Sequence, residues 1–184
     1  MDKISTLVIG GCKSGKSRHA LDLANGIINH AGQPGTKTLK KKIFVATSVP
    51  TDAEMEERVF NHKKERGSEW LTIEEPVLLS EVVDKYSKAA GVILIDCLTL
   101  WISNLLFKGH AKEDIFQNIR KTRNAVKGAE CSVILVSNEV GAGIVPENKL
   151  ARLFRDIAGI ANQEFAEIVD NVVWTVAGIP VTIK

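Results

Sequence analysis

The sequence is poor in cysteine. It holds three, Cys12, Cys97 and Cys131, an odd number with no two close together. A disulfide framework or a zinc ribbon needs paired spacing, so neither organises this chain. A reduced, cytoplasmic setting is the simpler expectation. The chain also lacks a charge of one sign: 24 basic residues against 22 acidic ones leave a formal net charge of +2. No global field of this size would draw nucleic acid as a partner. The one local basic run, Lys37, Lys40, Lys41 and Lys42, reads as a solvated loop. No apolar run approaches the ~20 residues of a membrane span. Met1-Asp2-Lys3-Ile4-Ser5 lacks the charged head and apolar stretch of a signal peptide, so none is expected there.

What remains is a chain of 184 residues, 45% hydrophobic and 25% charged. That suits one globular domain spanning 1–184, long enough to bury a sizeable core. Ile4–Ile9, Ile43–Ala46, Val92–Ile95 and Val133–Val136 are continuous apolar runs. Strands covered on both faces look like this, as in parallel sheets flanked by helices. Further strands are expected at Val172–Val176 and Val181–Ile183. Amphipathic patterns predict helices over Lys16–His30, Ala53–Glu65, Ile102–Phe107, Asp114–Val126 and Glu147–Val169. In the last of these, Leu150, Phe154, Ile157 and Ala161 would form the buried stripe. Strands alternating with helices argue for a doubly wound α/β fold with a mostly parallel sheet. Gly32–Lys42, with Gly32, Pro34 and Gly35, reads as an exposed, mobile loop.

Gly10-Gly11-Cys12-Lys13-Ser14-Gly15-Lys16-Ser17 satisfies G-x-x-x-x-G-K-S in full, after a strand and at the start of a helix. In that context the main-chain N–H groups and the helix N-terminus bind phosphate. Lys16 would reach the β- and γ-phosphates of a nucleoside triphosphate, and Ser17 would place its hydroxyl on Mg²⁺. Asp96, at the tip of the strand in "VILIDCLTLW", can hold the same metal, directly or through water. The plain alternative for it is a helix N-cap. Thr47 and Ser48 end another strand; they line the site or merely turn the chain. Glu139, after the strand in "VILVSN", orients an acceptor hydroxyl or caps a loop. Arg152, Arg155 and Asp156 read as a salt-bridged helix face.

Four histidines are present. His19, His30 and His110 read as surface residues. His62 lies three residues after Val59 and seven after Met55, on the helix face that looks toward the domain. Arg58, Lys63, Lys64 and Arg66 surround it. A cationic neighbourhood lowers a histidine's pKa and keeps the ring neutral and nucleophilic. Taken alone, the residues favour a surface role for it too.

"GGCKSGKSRHA", "VATS", "EMEERVFNHKKERG…W", "LIDCLTLWISNLL" and "VSNEVGAGIVPENKLARLFRDIAGIANQ" occur in this order over nearly the whole chain. Together they closely resemble the adenosylcobinamide kinase/adenosylcobinamide-phosphate guanylyltransferase family. The resemblance implies a P-loop NTPase-like (RecA-like) fold and two reactions of cobalamin biosynthesis. First, ATP or GTP phosphorylates adenosylcobinamide. Then GTP gives its GMP to adenosylcobinamide phosphate through a guanylylated histidine, and pyrophosphate leaves. Mapped onto this chain, His62 is that histidine and Lys16 the catalytic lysine. The implied nucleotide contacts are Gly10, Gly11, Cys12, Lys13, Ser14, Gly15, Lys16, Ser17, Ala46, Thr47, Ser48, Lys63, Lys64, Glu65, Arg66, Glu74 and Asp96. Either Glu74 or the adjacent Glu75 would read guanine by accepting its N1–H and N2–H₂. Mg²⁺ is the implied cofactor, held at Ser17 and Asp96, and a homotrimer the implied assembly. Two other readings stand beside this one: a kinase with His62 idle, and a nucleotide-gated binding module.

Overall fold

Among the described residues, seven strands are interspersed with five helices. The computed structural model describes residues 3–31, 41–49, 67 and 69–184. Within them run β1 (Ser5–Gly10), α1 (Lys16–Ala31), β2 (Lys41–Ala46), β3 (Trp70–Glu74) and α2 (Leu79–Tyr86). There follow β4 (Ala90–Asp96), α3 (Leu98–Phe107), α4 (Lys112–Gly128), β5 (Ser132–Asn138), α5 (Lys149–Ile168), β6 (Asn171–Val176) and β7 (Ile179–Thr182). One sheet holds all seven strands in the order β3-β2-β4-β5-β1-β6-β7. Every pairing is parallel except β6 with β7.

The continuous apolar strands divide their side chains between two cores, because successive residues point to opposite faces. Leu7, Ile43, Ile93, Ile95, Val133 and Leu135 go to one side, against α2, α3, α4 and α5. Val8, Phe44, Leu94, Ile134 and Val136 go to the other, against Ala20 and Ala24 of α1. Small residues let α1 lie close to the sheet. Trp101 is fully buried in the larger core, and its indole N–H donates to Val77 O at 2.8 Å. The doubly wound, mostly parallel architecture expected from the pattern is therefore the one observed.

Several local expectations change. β3 and α2 escape the sequence pattern. β3 is an edge strand whose Leu71 and Glu74 are exposed, so its run is not uniformly apolar. α2 is only two turns long. The stripe of α5 is Ile157, Ala158, Ala161 and Phe165; Leu150 instead lies 49% exposed, one residue into the helix. Lys42 is not in a solvated loop. It sits on β2, buried, with its ammonium donating to Glu69 Oε1 at 2.8 Å and Asn25 Oδ1 at 3.0 Å, 5.9 Å from the centre of the Trp70 ring. The long stem packs while the charge finds a carboxylate. The expected helix over 53–65, and residues 32–40 of the expected loop, lie outside the described residues.

The start of β1 is fastened to the α5–β6 connection by Asp170. Its Oδ2 accepts from Ser5 N at 2.7 Å and from Ser5 Oγ at 2.8 Å, while Asp170 N donates back to Ser5 Oγ at 3.0 Å. The Ser5 hydrogen bonds hold the Asp170 carboxyl below its ordinary value. A depressed carboxylate contributes stability above its unfolded pKa of about 4 and loses it as pH falls through the folded value. Asp170→Asn should thus cost about 1 kcal/mol near pH 7, a discounted figure for an exposed group. The gap in melting temperature from the parent should narrow as pH falls below about 4 and through the lowered folded value. A gap that stays constant between pH 7 and pH 3 would refute this role.

Candidate nucleotide site

The loop from Gly10 to Ser17 joins β1 to α1 near the middle of the sheet, at the carboxyl ends of the parallel strands, where such folds place ligands. Its backbone is bent into unusual shape: Lys13 has φ +51° and Gly15 φ +95°. A non-glycine residue in the left-handed region signals a conformation imposed by its surroundings. α1 carries no acidic residue in its first turn. The free N–H groups there and the helix dipole therefore face the loop without a competing carboxylate, which is how helix N-termini bind phosphate.

The turn after β6 imposes that shape. Ala177 (φ +51°) and Gly178 (φ +83°) form the two-residue reversal into β7. Gly178 N donates to Ser14 O at 3.0 Å. Thr175 Oγ1 lies 2.8 Å from Ser14 Oγ and 3.2 Å from Ile9 O, to which it donates. A Cβ on Gly10 would stand 2.5 Å from Thr175 O, and one on Gly15 would stand 3.1 Å from Gly178 Cα. The first glycine of the motif is thus required by packing against β6. On the opposite flank, Glu139 N donates to Gly10 O at 2.9 Å, so the end of β5 grips the same residue. The sequence reading missed Thr175 and Gly178. An alanine-glycine pair between "VVWTV" and "IPVTI" was the available signal, since a two-residue hairpin turn needs positive φ.

Lys16 is 7% exposed, and its ammonium donates to Gly11 O. Burial pushes it below its ordinary value, against the opposing pull of Cys97, Cys12 and Asp96. No salt bridge to a carboxylate compensates it among the described residues. An anion entering the loop would supply that compensation. Ser17 Oγ donates to Asp96 Oδ1 at 3.4 Å, so the hydroxyl and carboxylate meet beside the loop. Asp96 is not the cap of the following helix; Cys97 holds that position and makes no side-chain cap. A hydroxyl and a carboxylate oxygen are hard donors that suit Mg²⁺. No group of three or more His, Cys, Asp or Glu residues able to hold a metal occurs among the described residues. Two protein oxygens with the remaining positions left to phosphates and water are the usual provision for Mg²⁺.

Elsewhere on the rim, Thr47 is fully buried, and its hydroxyl is committed to the main chain. It accepts from Cys97 N at 2.7 Å and donates to Cys97 O at 2.8 Å. Asn104 holds Thr47 O at 2.7 Å. The Thr47 side chain thus locks the tip of β2 to that of β4, and Ser48, half-buried, is the more open of the pair. Burial, then Asp96, push the Cys97 thiol up, so it stays protonated. Asn138 Nδ2 donates to Thr99 Oγ1 at 2.9 Å. Glu75 Oε1 accepts from Val77 N and Leu78 N, each at 2.8 Å, and so serves the turn before α2. Glu74 closes β3 level with Ala46 and is exposed. Cys12 is exposed within the loop. Arg152 and Arg155 do not form a salt-bridged face: Arg152 donates to Pro146 O and Glu147 O, and Arg155 to Gly141 O. Both brace the segment that follows β5. His62, Lys63, Lys64, Glu65 and Arg66 lie outside the described residues.

Against this geometry stand the comparisons with known proteins. The model of the cobinamide kinase / cobinamide phosphate guanyltransferase family matches residues 6–183. The bifunctional adenosylcobalamin biosynthesis protein CobP of Pseudomonas aeruginosa is 37% identical over 184 residues, covering 97% of this chain and 96% of that protein. CobU of Escherichia coli, of the same description, is 37% identical, and CobU of Salmonella typhimurium 38%, each over 190 residues covering 97% of this chain and 98% of the relative. The crystal structure of the RadB recombinase aligns with 93% of this chain and 73% of its own at a TM-score of 0.46 and 13% identity. A nearly full-length family match and a phosphate loop built as described lead to one assignment: the chain belongs to the cobinamide kinase / cobinamide phosphate guanyltransferase family, and is both a kinase and a nucleotidyltransferase.

Proposed function

We propose that both reactions run on a triphosphate seated in the one loop from Gly10 to Ser17, within a single nucleotide-binding unit formed by the whole chain. The observation that carries this reading is the buried Lys16 ammonium, lacking a carboxylate salt bridge among the described residues, beside a helix N-terminus free of acids. Main-chain N–H groups of the loop bind the β- and γ-phosphates, and Lys16 follows the charge that builds on them as a bond to phosphorus breaks. Ser17 and Asp96 would hold Mg²⁺, which supplies further neutralisation of phosphate charge when bound.

In the kinase reaction the cobinamide hydroxyl attacks the γ-phosphorus of ATP or GTP, and the nucleoside diphosphate departs. In the second reaction His62 attacks the α-phosphorus of GTP. The bond from that phosphorus to the β-phosphate oxygen breaks, and pyrophosphate takes the electron pair. The phosphoramidate then passes GMP to the phosphate of adenosylcobinamide phosphate. Lys63, Lys64, Glu65 and Arg66 would flank the carrier, and Ala46, Thr47 and Ser48 the nucleoside. Either Glu74 or Glu75 would read guanine, and Glu74 is the more exposed of the pair. A site that hydrogen-bonds N1–H and N2–H₂ discriminates strongly against adenine.

We read the assembly as a homo-oligomer, a trimer by family resemblance, in the cytoplasm. Supporting association, Trp174, Val176, Ile179 and Val181 are 44–64% exposed, and the pairings Trp174 with Val181 and Val176 with Ile179 put them on one face of the β6–β7 ribbon. None of the described helices is long and apolar enough to cross a membrane. Light scattering should accordingly return a mass above that of one chain. A monomer at micromolar concentration would contradict the reading.

Intact mass spectrometry after incubation with GTP and Mg²⁺ tests the covalent step. The parent should gain one GMP, and His62→Ala should gain none while still phosphorylating cobinamide. A parent that phosphorylates but never gains the adduct reduces the protein to a kinase. Lys16→Met should lose both activities by 100-fold or more, of the order expected for removing a positioned charge at a reacting phosphate.

A further inference from the structure

The two reactions differ in one elementary requirement. In the first, the nucleophile is a neutral hydroxyl, which must shed a proton as its oxygen bonds to phosphorus. In the second, the acceptor is a phosphate monoester, whose second pKa is near 6. At neutral pH its attacking oxygen mostly carries no proton. One half of the enzyme therefore needs a proton acceptor that the other half does not. Neither Lys16, a cation, nor Asp96, committed to Ser17 and the metal, suits that task.

Glu139 is placed for it. β5 lies between β4 and β1 in the sheet, with Asn138 opposite Gly10 in the register. Glu139 is the next residue, and its N–H donates to Gly10 O at 2.9 Å. Its main chain thus stands one hydrogen bond from the first residue of the phosphate loop. By comparison, β3, which carries Glu74, lies four strand spacings from β1, on the order of 19 Å. Glu139 is half-buried, and its Oε1 is fixed by accepting from Gly141 N at 2.6 Å. Its Oε2 takes no hydrogen bond from any described residue. A Cβ on Gly141 would stand 2.8 Å from Glu139 Oε1 and displace that carboxylate. Arg155 steadies the same turn by donating to Gly141 O at 2.7 Å. One oxygen pinned and one open, beside the phosphate cradle, is the geometry of a general base.

We propose that Glu139 is the general base of the kinase reaction and takes no part in GMP transfer. The hydroxyl oxygen forms its bond to the γ-phosphorus while the bond from that phosphorus to the β–γ bridging oxygen breaks. The diphosphate leaves with the electron pair, and the hydroxyl proton passes to Glu139 Oε2 and then to solvent. The proposal rests on the family's two activities and on the shared triphosphate site.

Glu139→Gln is the decisive variant, because an amide oxygen still accepts from Gly141 N while the base is gone. Both activities are assayed on one preparation: phosphorylation of adenosylcobinamide by ATP, and GMP transfer from GTP to adenosylcobinamide phosphate supplied ready-made. The ratio of the two cancels any unfolded fraction. The ratio of phosphorylation to GMP transfer should fall about 100-fold or more relative to the parent, the usual loss on removing a general base. An unchanged ratio, whether both activities persist or both decline together, overturns the proposal. A parent that shows neither activity would instead strike at the functional assignment itself.

Discussion

The phosphate loop keeps its shape because two neighbouring strands grip it. Thr175 and Gly178 of the β6–β7 hairpin hold Ser14, and the chain leaving β5 holds Gly10 through Glu139 N. Between these grips the loop adopts positive φ at Lys13 and Gly15. A cradle braced by its own chain spends little binding energy on ordering itself, so more is left for recognising phosphate. The buried Lys16 ammonium adds the electrostatic half: its charge is incompletely repaid within the described protein.

The strand order turns this cradle into a reaction site. Parallel strands deliver their carboxyl ends to one rim, and each end contributes one function. β1 leads into the loop, β4 ends at Asp96 beside Ser17, and β5 hands over to Asn138 and Glu139. The Thr47 hydroxyl fixes the tip of β2 to the main chain of Cys97 just after β4, and Asn104 of α3 holds Thr47 O. Such rigidity suits phosphoryl transfer, in which positioning and electrostatics supply most of the acceleration. On the proposed reading, two chemistries on one triphosphate would differ in which phosphorus is attacked and in whether the nucleophile brings a proton.

Much of this architecture is written locally in the sequence. Four buried strands announce themselves as unbroken apolar runs, and the glycine-lysine-serine motif marks the loop without ambiguity. What escapes is non-local or marginal. Thr175 lies 161 residues from Ser14, and no short pattern reports a contact across that separation. β3, Trp70-Leu71-Thr72-Ile73-Glu74, sits at an edge with Thr72 and Glu74 breaking its apolar run, so it lacks the signature of the inner strands. Lys42 looks like solvent from its charge, yet Glu69, Asn25 and the Trp70 ring make a buried place for it. Glu74 and Glu75 are indistinguishable as letters; the fold leaves the first exposed at the end of β3 and the second half-buried in the turn before α2. The assignment of His62 comes from motif order rather than from coordinates.

Calorimetric titration of the protein with a non-hydrolysable GTP analogue and Mg²⁺ tests the preformed single cradle most directly. The parent should bind one analogue per chain. Gly10→Ala should fold, as judged by circular dichroism, yet lose that binding, because its new methyl would meet Thr175 O at 2.5 Å and push the loop away from its brace. Undiminished affinity in Gly10→Ala, or two analogues bound per parent chain, would contradict the account.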